Sequence, residues 1–206
     1  AAAAAAAAAA TVSHGVRVRQ LYSLWSAPSS PSHAWASVFS RAADMLKRGA
    51  TVKLDCCTVK VVERLSEGGF AYVHRVKEES SGKRHYALKQ IVTNNDAELS
   101  RAAEKERELM RSLAPHPNII GLLASASASG SVLLLLELCL GSLADRVLAK
   151  QRFGWSELLD TFTQITAAVV HLHNQSPPIA HRDLKIENVL LAPDGLYKLC
   201  DFGSCS

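Results

Sequence analysis

The run His181-Arg182-Asp183-Leu184-Lys185-Ile186-Glu187-Asn188-Val189, with Asp201-Phe202-Gly203 close behind it, constrains this chain more than any other stretch. It puts an aspartate, a lysine two positions on and an asparagine three beyond that on one short loop, and a second aspartate on the next hairpin. Chance agreement at so many spaced positions is remote. Whatever the chain folds into must present these two segments on short strands and loops.

The residues upstream supply the frame. Val59, Val61 and Leu65 alternate with charged residues, which predicts a strand from Thr58. Gly68-Gly69 turns the chain into a second strand over about Ala71–Lys77, and Glu79-Ser80-Ser81-Gly82 into a third over His85–Ile91. Asn95 reads as a helix N-cap with Glu98 as its capping-box partner. Leu99, Ala103, Glu106, Met110 and Leu113 follow at helical spacing until Pro115 and Pro117 end the helix. Ile119–Ser125 and Val132–Leu138 read as two more strands across a Ser/Ala/Gly turn. Leu158, Phe162, Ile165, Val169 and Leu172 alternate four- and three-residue steps, marking an amphipathic helix over Trp155–Asn174. Five strands and one helix, then a helical region, read as an α+β fold of two lobes, residues 50–138 and 139–206. Residues 1–49 read as an Ala/Ser-rich, disordered extension with a short helix over Ala34–Arg48, an acid-poor transit peptide being the alternative.

Composition narrows the classes. Outside the leading alanines the longest strictly apolar run is Val132–Leu136, far short of the roughly 18 residues of a membrane span. Three of the 23 basic residues, Arg17, Arg19 and Arg41, lie in an acid-free stretch over residues 1–43, which leaves 20 against 19 acids in the rest. That near-neutral body has no broad cationic face of the kind nucleic acid requires. The 5 cysteines show no Cys-x-x-Cys pair and no paired spacing, which fits a reducing, cytoplasmic setting and argues against zinc. His171 and His173 stand two apart on a helix and point in different directions, so they read as core and surface residues rather than metal ligands.

The loop and hairpin carry the groups that phosphoryl transfer needs. Asp183 is the candidate base for an acceptor hydroxyl, Lys185 the cation beside the γ-phosphate, and Asn188 and Asp201 the hard oxygen ligands for Mg²⁺. Lys89, ending Tyr86-Ala87-Leu88-Lys89, would hold the α- and β-phosphates of ATP if a carboxylate kept it in place. Glu106 shares the apolar face of its helix and is the preferred partner; Glu104 and Glu108 remain open. In Leu65-Ser66-Glu67-Gly68-Gly69-Phe70-Ala71-Tyr72-Val73, small residues at a strand turn let backbone N–H groups approach phosphate oxygens. Backbone groups of Glu137 and Cys139 are placed at adenine, with Leu65, Val73, Ala87 and Leu190 as apolar walls. The reading requires positions 89, 183, 188 and 201 to serve one triphosphate and its magnesium.

These motifs resemble those of protein kinases. More narrowly, Glu67-Gly68-Gly69-Phe70-Ala71, Thr93-Asn94-Asn95, His116-Pro117-Asn118-Ile119-Ile120 and Leu199-Cys200-Asp201-Phe202-Gly203-Ser204 resemble Numb-associated kinases, a group that includes adaptor-associated and cyclin-G-associated kinases. The resemblance covers about residues 50–206. It implies a two-lobe Ser/Thr kinase fold and accounts for Ser66 and Ala71 where other kinases carry glycine. It also implies protein substrates with Ser/Thr acceptors, clathrin adaptor subunits among them, and a cytoplasmic site of action at vesicle membranes. Lys185 is the residue associated with Ser/Thr rather than Tyr acceptors. No Ala-Pro-Glu follows Asp201-Phe202-Gly203, so the expectation is a truncated kinase that phosphorylates peptides poorly, its Trp155–Asn174 helix left with an uncovered apolar patch. The alternatives are a non-catalytic nucleotide-binding or interaction module and a small-molecule kinase.

Overall fold

The computed structural model describes residues 46–206 apart from Phe70, Ser81 and Ser129, and these fall into two bodies, residues 46–114 with 121–138 and residues 115–120 with 139–206. The expected extension and its helix lie outside the described residues except at 46–49, where the chain turns and Gly49 takes φ +88°.

In the first body the period-two pattern produces strands β1 (Thr51–Lys53), β2 (Thr58–Glu67), β3 (Ala71–Glu78), β4 (His85–Val92), β5 (Leu122–Ala128) and β6 (Ser131–Glu137). They form one antiparallel sheet in the order β1-β2-β3-β4-β6-β5. The sheet thus has six strands where the sequence predicts five. β1 escapes the pattern because three residues are too few to show alternation, yet Val52 pairs with Val59 and is buried with it. β5 starts at Leu122 rather than Ile119 because Ile120 N–H donates to Leu199 O (2.9 Å) in the second body. β6 is buried from Ser131 to Leu136, as its unbroken apolar run implies.

β1 and β5 are opposite edges in this order, but the sheet curls until they meet. Asp55 N–H donates to Ser125 O (3.1 Å), and Ser125 N–H donates to Asp55 Oδ1 (3.1 Å). Inside the curl lie Val59, Val61, Val76, Leu88, Leu133 and Leu135. Burial of each such side chain contributes about 1.5–3 kcal/mol.

Helix α1 (Ala97–Ser112) packs on this sheet through Ala103, Glu106 and Met110. Its N-cap is Asp96, not Asn95: Asp96 Oδ1 accepts from Glu98 N–H (2.8 Å) and Leu99 N–H (2.9 Å). Asn94 and Asn95 are left-handed, φ 47° and 62°, and belong to the preceding turn. There the N–H groups of Thr93 and Asn94 both donate to Gly130 O, 2.8 and 3.1 Å. Gly130 sits at φ +73°, a conformation that costs glycine little.

The second body carries β7 (Gly141–Ser142), helices α2 (Leu143–Leu148) and α3 (Trp155–His173), β8 (Val189–Leu191) and β9 (Tyr197–Leu199), with sheet order β7-β8-β9. Ser142 and Asp145 close a capping box on α2. Arg146 ties α2 to its surroundings: it pairs with Glu157 (2.6 Å) on α3, bonds the Tyr197 hydroxyl of β9, and lies 4.6 Å from the Phe153 ring centroid. On α3 the buried residues are Thr161, Ala168 and Leu172, so the predicted stripe is only partly inward. Leu158 faces solvent, as do Trp155 and Phe162, which are 77% and 71% exposed. No described helix is long and apolar enough to cross a membrane.

One buried group is out of keeping with its site. His74 of β3 is buried, and among the described residues neither ring nitrogen makes a well-formed hydrogen bond; its polar neighbour Gln90, which acts weakly on the ring, donates through Nε2 to Ser131 Oγ (3.3 Å). Unmet polar atoms cost about 1–3 kcal/mol. Burial also pushes the pKa values of His74, His116 and His181 below the usual imidazole value. The unfolded chain then binds more protons than the folded one below about pH 6.5. Stability is therefore complete above that pH and is lost as the pH falls. Replacement of His74 by leucine is expected to raise the unfolding free energy by about 1 kcal/mol at pH 7 and to shallow the acid limb. Urea titrations from pH 5 to 8 measure both, and a destabilised His74→Leu with an unchanged limb would refute the account.

Candidate functional site

The lysine group lies in the first body. Lys89 occupies the middle of β4, in register with Val73 of β3 and Leu134 of β6, so its backbone is held on both sides. Its Nζ meets Glu106 Oε1 at 2.7 Å, and the two side chains are 7% and 5% exposed. Helical spacing explains which acid pairs. Glu106 shares the inward face of α1 with Ala103 and Met110. Glu108 is exposed, and Glu104 accepts from Ser127 Oγ on β5 (2.8 Å).

The turn between β2 and β3 is closed by Gly68 N–H donating to Ala71 O (2.8 Å), next to the Glu67–Tyr72 pair. Leu65, Ser66 and Val73 are buried, Gly69 and Ala87 are half-buried, and Phe70 lies outside the described residues. Glu67 pairs with Arg64 at 3.1 Å. Glu137, at the end of β6, has its side chain engaged, with Oε1 accepting from Gly121 N–H (2.8 Å). Cys139 and Leu190 are both buried in the second body.

The acidic group belongs to the second body. Residues 186–188 form a single 3-10 turn that leads directly into β8, so Asn188 is carried at the start of a strand. Asn188 N–H donates to Lys185 O (3.0 Å) and Cys200 N–H donates to Asn188 O (2.9 Å). The loop and the Asp201-Phe202-Gly203 segment are therefore tied together by backbone. His181 adds two further ties: its ring is edge-on to Phe202 at 5.4 Å, and Nε2 lies 3.0 Å from Cys200 O. Asp183 N–H donates to His181 Nδ1 (3.4 Å), which assigns the remaining ring proton to Nε2 and makes it the donor to Cys200 O. Burial lowers the His181 pKa, so the ring stays in that neutral form near pH 7.

Asp183 is oriented from one side. Asn188 Nδ2 donates to Asp183 Oδ2 and to Asp183 O, both at 2.9 Å, and Lys185 Nζ stands 2.7 Å from the same Oδ2. Arg182 and Asp201 hold left-handed backbone, φ 64° and 65°, a strained choice that recurs where side chains are aimed for chemistry. Asn188 itself is 0% exposed, and its Oδ1 has no hydrogen-bond partner among the described residues. With the amide nitrogen committed to Asp183, a buried carbonyl oxygen is left over. An oxygen-seeking cation fits such an atom, and Asn188 with Asp201 matches the donor chemistry of Mg²⁺. No group of three or more His, Cys, Asp or Glu that could hold a metal occurs among the described residues. The His171 ring lies against that of His116, centroids 4.8 Å apart and planes tilted by 33°.

Sequence reasoning missed the pairing of the β1–β2 turn with Ser125 and Arg111, since a lone aspartate between Leu54 and Cys56 carries no local signal.

Comparison with known proteins gives a consistent result. The family described as the protein kinase domain matches residues 59–206. A probable serine/threonine-protein kinase of Dictyostelium discoideum is 37% identical over 169 residues, 77% of this chain and 15% of that protein. The serine/threonine-protein kinase ppk30 of Schizosaccharomyces pombe is 33% identical over 189 residues, 87% of this chain and 19% of its own length. A second probable serine/threonine-protein kinase of Dictyostelium discoideum is 38% identical over 157 residues, 71% of this chain and 19% of that protein. The chain thus spans less than a fifth of each of these relatives.

Proposed function

Since this chain belongs to the protein kinase domain family, we propose that it carries the catalytic groups of a Ser/Thr protein kinase, which transfers the γ-phosphoryl group of ATP to a protein hydroxyl. The observation that carries the reading is the arrangement at Asp183: one carboxylate oxygen is held by Asn188 (2.9 Å) and Lys185 (2.7 Å), while Asn188 keeps a buried oxygen that has no partner among the described residues.

Mg·ATP supplies the phosphoryl group and spreads its developing charge. Both contacts to Asp183 fall on Oδ2, so Oδ1 is the atom assigned to take the proton of the acceptor hydroxyl. Lys185 stands beside the same carboxylate and offers its ammonium to the charge that builds on the transferred group. Asn188 and Asp201 are assigned to the metal, Lys89 to the α- and β-phosphates with Glu106 fixing its direction, and the Gly68-Gly69 turn to backbone contacts with phosphate oxygens. Backbone groups of Glu137 and Cys139 are assigned to adenine, with Leu65, Val73, Ala87 and Leu190 around it.

Within the family we place the chain with the Numb-associated kinases, on Glu67-Gly68-Gly69-Phe70-Ala71 and Leu199-Cys200-Asp201-Phe202-Gly203-Ser204. Protein substrates with Ser/Thr acceptors, clathrin adaptor subunits among them, and action in the cytoplasm at vesicle membranes follow from that placement.

The test is ligand-linked stabilisation. Mg·ATP at about 100 times its Kd is expected to stabilise the native chain by about 2.7 kcal/mol. The shift should disappear in Asp201→Ala and Asn188→Leu and when EDTA replaces magnesium. Absence of any shift in the native chain would overturn the reading.

A further inference from the structure

The turn joining β1 to β2 is docked at more places than a two-residue loop needs. Leu54 N–H donates to Cys57 O (2.8 Å), which leaves Asp55 and Cys56 at the tip. Asp55 is bound to β5 by its own N–H and by Oδ1, each 3.1 Å from the Ser125 backbone, and Ser125 Oγ lies 3.4 Å from Oδ2. The Cys56 thiol reaches Leu123 O at 3.8 Å. On its other side Asp55 Oδ2 pairs with Arg111, in the last turn of α1. One aspartate therefore brackets two elements that lie far from it in sequence.

Helix α1 is joined to the sheet by polar contacts at three levels. Glu106 meets Lys89 on β4 (2.7 Å); Glu104 and Arg107 both meet Ser127 on β5 (2.8 Å); Arg111 meets Asp55. Arg111 stands five residues beyond Glu106, about 7.5 Å along a rigid helix. A sideways movement there is carried to the Glu106 carboxylate. The Arg111 and Asp55 side chains are 50% and 40% exposed, and half-exposed ion pairs add little to stability. What the pair fixes is where the helix end lies on the sheet.

We infer that Asp55 and Arg111 are positioning residues, holding α1 so that Glu106 stays in register with Lys89. The inference gives the short first strand a task in the proposed site, and in that sense rests on the kinase reading, although its direct readout does not.

The experiment reads Lys89 itself. The native chain and its variants are treated briefly with an acetylating reagent, and acylation of Lys89 is compared by peptide mass spectrometry with that of Lys60, which is exposed. Asp55→Asn and Arg111→Met are each expected to raise the Lys89:Lys60 ratio about two- to fivefold, the weight of a half-exposed ion pair, while Arg111→Lys returns it to the native value. An unchanged ratio in Arg111→Met overturns the inference, whatever happens to its melting temperature. A Lys89 as reactive as Lys60 overturns it too, since that marks unfolding rather than repositioning. Stabilisation by Mg·ATP is measured in parallel. A raised ratio with no stabilisation of the native chain supports the bracket and sinks the kinase reading; a flat ratio with normal stabilisation does the reverse.

Discussion

Glu106→Ala is expected to lower the free energy of unfolding by about 3–5 kcal/mol, a large share of what holds a domain of this size. The reason is the low exposure of both partners, 7% for the Lys89 side chain and 5% for Glu106, at 2.7 Å separation. Removing the carboxylate takes away the oxygen 2.7 Å from a buried ammonium, on a strand paired on both sides by β3 and β6. The pair as a whole behaves differently. Desolvating two charges costs about as much as their attraction returns, so K89M/E106L is expected to regain native stability within about 1 kcal/mol, or to exceed it. That double variant should nevertheless lose stabilisation by Mg·ATP. Urea unfolding with an unchanged m-value checks the stability part. A loss under 1 kcal/mol in Glu106→Ala would mean that water reaches the pair, and the burial argument would fail with it.

Asp183→Asn carries the second large effect. The amide has the shape of the carboxylate, so the contacts from Asn188 (2.9 Å) and Lys185 (2.7 Å) constrain it to nearly the same place. It no longer takes a proton. General-base assistance is worth about 10²–10⁴ in rate, and transfer of label from ATP to a serine-bearing protein should fall by that factor relative to the native chain. Stabilisation by Mg·ATP should persist, because the atoms assigned to the metal, on Asn188 and Asp201, are untouched. Equal transfer rates in the two proteins would remove Asp183 from the chemistry. Lost stabilisation would show instead that its charge serves nucleotide binding.

Much of the frame is legible without coordinates because it depends on local periodicity. The alternation from Val59 to Leu65 and the unbroken apolar run Val132–Leu136 each specify a strand, and both strands form. Errors occur where the local signal is short or shared. Three residues cannot reveal β1. Asn95 and Asp96 are both good caps, and only the Thr93–Gly130 turn, which forces Asn94 and Asn95 left-handed, hands the cap to Asp96. The stripe on α3 is periodic, but periodicity does not say what covers it, and Leu158 and Phe162 stay in solvent.

The candidate site divides in the same way. That a lysine, two aspartates and an asparagine of the right chemical types are present is a property of the linear chain, as is the helical spacing that puts Glu106 rather than Glu108 on the inner face of α1. Two things were decided by contacts between distant segments: the 2.7 Å closure of Lys89 on Glu106 and the capture of Arg111 by Asp55 across the curled sheet. Local residue types set what each segment prefers, whereas pairings 17 and 56 residues apart depend on the register and curl of all six strands together, and no window of sequence contains that information.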